Sequence, residues 1–132
     1  MGRTIAVFCL LLALIGLAVA EQLYIGKVYK HMQGEIAALV ADVEKYPDEG
    51  TKFGDELVDR VDAMHKYWTG REKKLCILIR HVDLLNVSNA LVYAQNFAHN
   101  DNKEETLAGL KQLSYLVDTY KSVYGFNGAN IL

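Results

Sequence analysis

The first twenty residues constrain this chain more than any other stretch. The first four carry one basic side chain, Arg3, besides the terminal amine. Ile5 to Ala20 follow without a charge, and they end in Ala18-Val19-Ala20. A basic start, an apolar run and a small-residue cleavage site are the three parts of a secretory signal. We therefore predict a signal peptide or signal anchor over residues 1–20 and one exported domain over residues 21–132.

The sequence leaves open whether this segment is removed. At about 1.5 Å of rise per residue, its apolar run spans roughly 24 Å as a helix, whereas the hydrocarbon layer of a bilayer is about 30 Å thick. The short run and the Ala-x-Ala site favour cleavage before Glu21. However, a short span can be retained when the bilayer thins or flanking residues reach its surface. The apolar run also resumes after Gln22, with Leu23, Tyr24 and Ile25.

The charge distribution places the body of the chain outside the cytoplasm, either attached or free. Arg3 and the terminal amine should remain cytoplasmic, because positive charge beside an apolar segment is retained on that side. With Arg3 set aside, residues 21–132 carry 13 basic and 16 acidic side chains. A nucleic-acid-binding domain is usually strongly basic, so nucleic acid is not an expected partner.

One cysteine, Cys76, remains outside the apolar segment, so the body cannot form an intrachain disulfide. We expect Cys76 to act as a small buried apolar side chain on the inner face of a helix. A thiol that pairs between two chains is the alternative in an oxidising compartment.

Apolar side chains repeat every three or four residues along most of the body, which is typical of amphipathic helices. The first helix should end at Pro47, because the residue before a proline avoids helical backbone angles. The Pro47-Asp48-Glu49-Gly50 sequence then forms a turn. The stripe before this turn consists of Ile25, Val28, Met32, Ile36, Leu39, Val43 and Tyr46. The stripe after it contains Phe53, Leu57, Val61, Met64 and Trp68.

The apolar pattern changes phase near His81. One stripe continues to Val82, and a displaced stripe follows with Leu84, Val87, Leu91, Ala94 and Ala98. A kink or short turn at residues 81–84, with Asp83 as the cap of the next helix, would absorb this shift. One continuous helix over residues 51–99 is the alternative.

A second clear stop lies at residues 99–102. Asp101, with Glu104 three residues later, predicts a capping box for the last helix. Gly125 suits the position just after that helix. The apolar stripe between them consists of Leu107, Leu110, Leu113, Val117, Tyr120 and Tyr124.

These patterns predict an all-α fold. No segment alternates with the period of two that is typical of a half-buried strand. Short connections make consecutive helices antiparallel neighbours. We therefore expect an N-terminal signal or anchor helix followed by an antiparallel bundle of three to four amphipathic helices.

Several of these positions together resemble a known family. They are the apolar start, Trp68, the Lys74-Leu75…Ile79-x-His81 stretch, Asp83-Leu84, Val87, Leu91 and the closing Asn130-Ile131-Leu132. This order is similar to a family of small proteins from Gram-positive, often spore-forming bacteria. That family is classed as a domain of unknown function, with an N-terminal membrane segment and a helical body. The resemblance implies a bacterial envelope protein, and it implies no activity and no site residues.

The residues themselves indicate no catalytic or metal centre. Helical metal sites usually combine two pairs of ligands spaced three or four residues apart, and Asp62 with His65 is the one such Asp/Glu-before-His pair. No haem-attachment motif, nucleophile elbow or phosphate-binding glycine loop is present. We therefore predict a non-enzymatic protein without cofactors, and we assign no catalytic, cofactor-binding or metal-binding residues.

Aromatic side chains are the remaining candidates for function. The chain has eight tyrosines and one tryptophan, and these residue types are enriched at protein interfaces. Each candidate is either an interaction residue or a core anchor. Four tyrosines lie off the apolar stripes and are either exposed or placed at the edge of the core, where a small bundle also uses tyrosine: Tyr29, Tyr67, Tyr93 and Tyr115. For Trp68, which lies on a stripe, we favour a core position over an interface hot spot.

Two functions from different classes follow. The first is a protein-interaction or structural module that docks on another envelope or membrane protein, or on a second copy of itself. The second is a carrier of a small apolar ligand, held between helices near Trp68 and Cys76. A filled bundle with exposed aromatic residues favours the module, whereas a large apolar cavity would favour the carrier.

Overall fold

The computed structural model describes residues 1–124, and these residues form four helices. They are α1 (Gly2–Glu44), α2 (Asp55–Leu78), α3 (His81–His99) and α4 (Lys103–Tyr124). No strand occurs in this part of the chain, and the all-α fold is confirmed. The expected helix end at Gly125 and the Asn130–Leu132 terminus lie outside the described residues.

The helices form an up-and-down four-helix bundle. Helix α1 packs against α2 and α4, and α3 packs against the same two neighbours from the opposite side. Polar contacts fix the antiparallel directions: Gly54 N donates to Tyr46 Oη (3.1 Å), and His99 Nε2 lies 2.8 Å from Asp62 Oδ1. Short connections enforce this arrangement, because they leave consecutive helices no room to pack other than side by side.

Helix α1 continues without a break from the apolar segment into the bundle. Residues 1–20 are exposed along their whole length, whereas the predicted stripe of α1 is buried at Ile25, Val28, Met32, Ile36, Leu39 and Val43. Helix geometry ends at Glu44, just before Pro47, as the sequence predicted. The first part of α1 is therefore an exposed apolar helix, and the second part is an amphipathic helix of the bundle.

The phase change near His81 corresponds to a true helix break. Ile79 has extended backbone angles, φ −128° and ψ 146°, and α3 begins after Arg80. The alternative of one helix over residues 51–99 is therefore wrong. The break lies slightly before the expected position. It leaves Ile79 buried, whereas Val82 is exposed.

The connection between α3 and α4 uses a different cap from the predicted one. Asn102, not Asp101, caps α4: its Oδ1 accepts the backbone N–H of Glu105 at 3.0 Å. Asp101 adopts a left-handed φ of 56°, and its Oδ1 instead accepts the backbone N–H of Phe53 at 2.8 Å. Asp101 thus joins the start of α2 to the end of α3, and the capping pair shifts by one residue to Asn102 and Glu105.

Candidate functional site

Two ends of the bundle are distinguished below. The base is the end where the apolar part of α1 leaves the bundle, and it consists of residues 17–25, 74–83 and 120–124. The distal end holds the α1–α2 and α3–α4 connections, residues 45–54 and 100–102. At the base, an open groove of about 310 Å³ lies between α1 and the end of α2, lined by Leu17, Ala20, Glu21, Tyr24, Lys74, Ile77 and Leu78.

A buried carboxylate lies at the centre of the base. Asp83 is 4% exposed and accepts hydrogen bonds from Arg80 Nε (2.9 Å), Arg80 Nη2 (3.2 Å) and the Tyr124 hydroxyl. Tyr120 also belongs to this cluster, because its hydroxyl is a further hydrogen-bond partner of Asp83. The same hydroxyl accepts a hydrogen bond from Asn86 Nδ2 at 3.0 Å. The start of α3 is thereby tied to the end of α4. Asp83 does not act as the backbone cap expected from the sequence.

The electrostatics of this cluster keep Asp83 ionised. Burial opposes ionisation, but hydrogen bonds from Tyr124 and Arg80 outweigh it and hold the pKa of the Asp83 carboxyl below its usual range. Tyr29 lies near this cluster. Burial raises the pKa of its hydroxyl, and the nearby Tyr124 and Asp83 raise it further. The Tyr29 hydroxyl has no hydrogen-bond partner within the described part of the chain. A neutral Tyr29 beside an ionised Asp83 is the resulting state.

Two of the five aromatic candidates belong to the core. Trp68 and Tyr29 are both 0% exposed, with their ring centroids 6.0 Å apart. The indole N–H of Trp68 donates to Ser88 Oγ at 2.8 Å, and Ser88 Oγ lies 3.2 Å from Glu72 Oε1. Trp68 is therefore a core residue, as its position on the apolar stripe predicted. Tyr29 lies off the predicted stripe of α1 but is also a core residue, because its ring lies beside Trp68 of α2 and near Tyr124 of α4.

The other three aromatic candidates are at least partly exposed, and they lie on three different helices. Tyr67 is half-buried between α1 and α2, with His31 stacked at 4.0 Å and the Arg71 guanidinium 3.5 Å above its ring. Tyr93 is 40% exposed and donates its hydroxyl to Glu105. Tyr115 on α4 is 71% exposed. The five candidates therefore do not form a single site.

Cys76 does not occupy the interior position that we expected. Its thiol is exposed, one residue before the exposed Ile77, whereas Trp68 is enclosed. The two residues do not line a common interior space. The apolar stripe of α2 passes through Leu75 and Ile79 instead, which places Cys76 on the outer face.

The histidines do not gather into a metal centre. Asp62 accepts hydrogen bonds from Gln95 Nε2 (2.7 Å) and His99 Nε2 (2.8 Å), and this contact joins α2 to α3 near the distal end. No group of three or more His, Cys, Asp or Glu side chains within residues 1–124 is arranged to hold a metal ion. His99 thus has a visible structural role as a partner of Asp62.

The sequence did not reveal the role of Asp83, which accepts more side-chain hydrogen bonds than any other carboxylate within residues 1–124. Asp83 lies four residues before Val87 and eight before Leu91, on the buried face of α3. An acidic residue in phase with an apolar stripe is a signal of a buried, paired carboxylate, because a charge is rarely fully buried without a partner. Its partners Arg80, Tyr120 and Tyr124 were not recognisable as such, since two of them come from a helix some forty residues later.

These observations define a class of protein. It is a four-helix bundle whose first helix extends beyond the bundle and is long and apolar enough to cross a membrane. The chain matches no known protein-family model, no curated protein sequence and no solved structure.

Proposed function

We propose that this chain is a membrane-anchored protein of the bacterial envelope, with its bundle outside the cytoplasm, that serves as a non-catalytic protein-interaction or structural module. The observation that carries this proposal is the continuity of α1 across Ala20 and Glu21. Proteolysis acts preferentially on exposed loops rather than inside helices. Ala20 and Glu21 moreover line a common groove with Ile77 and Leu78 of α2, which supports a retained anchor over a cleaved signal.

The buried side chains at the centre of the bundle support a module over a ligand carrier. Trp68, Tyr29, Met32 and Leu91 are completely buried at the centre of the bundle, and the polar atom of Trp68 is paired. A carrier would need an apolar cavity of several hundred cubic ångströms between the helices. The large exposed aromatic residues lie instead on the outside, at Tyr93 and Tyr115.

Tyr115 offers the sharpest test of the interaction role. A photo-crosslinking phenylalanine analogue replaces Tyr115 in the full chain expressed in its membrane, with the exposed Ala38 on α1 as the matched control position. We expect a covalent adduct at position 115 and none at position 38. An adduct of twice the chain mass identifies a second copy, and a different mass identifies another envelope protein. Absence of adducts at both Tyr115 and Tyr93 would contradict the interaction role.

A further inference from the structure

The base of the bundle carries most of the exposed apolar side chains outside the N-terminal segment. Among residues 21–124, eight large hydrophobic side chains are exposed, and five of these lie at the base or within one turn of it: Leu23, Ile77, Val82, Leu85 and Val123. Ile77 is 83% exposed at the very end of α2. Exposed apolar side chains that are scattered singly are normal on a protein surface, whereas a cluster of them marks an interaction surface.

These side chains are level with the end of the apolar segment. Ile77 and Leu78 line one groove with Leu17 and Ala20, and a second groove with Ala18. The α2–α3 connection therefore lies beside the last turn of the segment that would span the membrane. When residues 5–20 lie in a bilayer, this connection lies at the bilayer surface.

Charge separates along the bundle in the same direction. The basal half, residues 21–33, 68–88 and 115–124, has seven basic and four acidic side chains. The distal half, residues 34–67 and 89–114, has six basic and twelve acidic side chains. Of the four basal acids, Asp83 is buried and paired with Arg80. Anionic headgroups attract a predominantly basic surface such as that of the basal half.

The length of the apolar run gives a reason for the base to enter the bilayer surface. The run over residues 5–20 is about 24 Å long, roughly 6 Å less than the hydrocarbon layer. About four further residues would close this gap, and Leu23 to Ile25 continue the apolar run there. Tyr24 has the interfacial type of side chain, with Lys74 Nζ 4.3 Å above its ring. Glu21, which also lies at this level, shares its groove with Lys74.

We infer that the base of the bundle is seated in the extracytoplasmic leaflet of the bilayer that α1 crosses, with Ile77, Val82 and Val123 among the acyl carbons next to the headgroups and Lys74 at the phospholipid phosphates. This inference rests on the proposed retention of the anchor. An apolar surface with basic side chains at its edge binds a lipid interface by burying apolar area and by attracting anionic headgroups. The bundle then stands upright with its acidic distal end directed away from the membrane.

The native Cys76 provides a probe at the right place. The full chain with Cys9→Ala is labelled at Cys76 with a polarity-sensitive nitrobenzoxadiazole dye and reconstituted into vesicles of phosphatidylcholine and phosphatidylglycerol. We expect blue-shifted emission, and quenching by lipids that carry a nitroxide near the top of the acyl chain. The control carries its single cysteine at Glu49→Cys in the distal turn, with Cys76→Ala. Its dye should emit as in water and be quenched several-fold less.

Substitutions test whether the apolar residues cause the insertion. Ile77→Asp with Val82→Asp should reduce quenching of the Cys76 dye to the level of the Glu49 control, because both side chains are exposed and the fold does not depend on them. Tyr115→Asp, also exposed but further from the base, should leave the quenching unchanged. Far-UV circular dichroism confirms that each variant is folded.

The outcomes separate this inference from the proposed anchor. A chain that fails to float with the vesicles contradicts the anchor itself. A chain that floats with an unquenched Cys76 dye overturns the seated base while the anchor stands. Blue-shifted emission without nitroxide quenching would show that protein, such as a second copy, covers the base, and this also overturns the inference.

Discussion

Gly109 allows α4 to approach α3 closely, because it has no side chain. A Cβ atom built there would lie 2.9 Å from Tyr93 Cδ1 and 3.1 Å from the Cα and Cβ atoms of Ala94. Two of these three neighbours belong to Ala94 of the packed helix and cannot move away without shifting α3. Gly109 is therefore a packing residue, although glycine lowers helix propensity.

Gly109→Ala should destabilise the protein by about 1–3 kcal/mol, because the cost of overpacking exceeds the gain in helix propensity. Gly34→Ala is the matched control, since nothing lies within 4 Å of a Cβ at that position. It should stabilise the protein by about 0.5–1 kcal/mol. Urea unfolding of the full chain in detergent, followed by circular dichroism, measures both. Equal effects at the two glycines would contradict the close α3–α4 contact.

Asp83 gives the stability of the base a dependence on pH. Its pKa is lower in the folded chain than in the unfolded one, so its stabilising effect is present above about pH 4, the unfolded value. The effect is lost as the pH falls through the folded pKa. Asp83→Asn should lower the free energy of unfolding at pH 7 by about 1–3 kcal/mol, because Arg80 and Tyr124 lose a charged acceptor at a buried position.

The difference between wild type and Asp83→Asn should shrink as the pH is lowered below about 4. Thermal unfolding from pH 7 to pH 2 measures this difference. Glu49→Gln in the exposed distal turn serves as the control, and it should change stability by less than about 0.5 kcal/mol throughout. A constant difference between wild type and Asp83→Asn at all pH values would show that Asp83 acts through its shape alone.

At the scale of the elements, the start of α4 depends on Asn102. Asn102→Ala should cost about 1 kcal/mol, because the first-turn N–H of Glu105 loses its acceptor. Asn102→Asp keeps an acceptor oxygen and should remain within about 0.5 kcal/mol of wild type. Chemical denaturation of the two variants distinguishes these cases. If the aspartate variant is as unstable as the alanine variant, Asn102 is not the cap.

The break between α2 and α3 allows the apolar side chains of both helices to be buried. Ile79 and Arg80 both have non-helical backbone angles at the break, and this change of direction allows Leu75 on α2 and Leu84 on α3 to be buried together. A continuous helix would have carried one of the two stripes away from the core. The break therefore follows from burial, since no proline or glycine occupies residues 77–83.

At the scale of the whole molecule, the proposed arrangement has the N-terminus inside and the bundle outside. A reporter enzyme that works only outside the cytoplasm, fused after Leu132, should be active. The fusion should also sediment with membranes at its full-length mass. Deleting residues 5–20 is the control, and it should give an inactive, soluble fusion. A stable but inactive full-length fusion would contradict export, and a shortened soluble product would contradict the anchor.

The sequence by itself determined the fold class, the turn at Pro47 and the buried stripes of the four helices. These features are local, because a period of three to four residues and a proline act through neighbours along the chain. The same local pattern correctly favoured Trp68 as a core residue, since it lies in phase with Val61 and Met64.

Only the tertiary structure decided which side chains outside the stripes are buried and which polar groups meet. Tyr29 is enclosed because three helices converge on it, and Cys76 is exposed because α2 turns its other face inward. Asp83 finds Tyr124 across forty residues of sequence, and Asp101 bonds to Phe53 instead of capping its own helix. Such contacts depend on how helices pack in space, and no spacing within one helix encodes them.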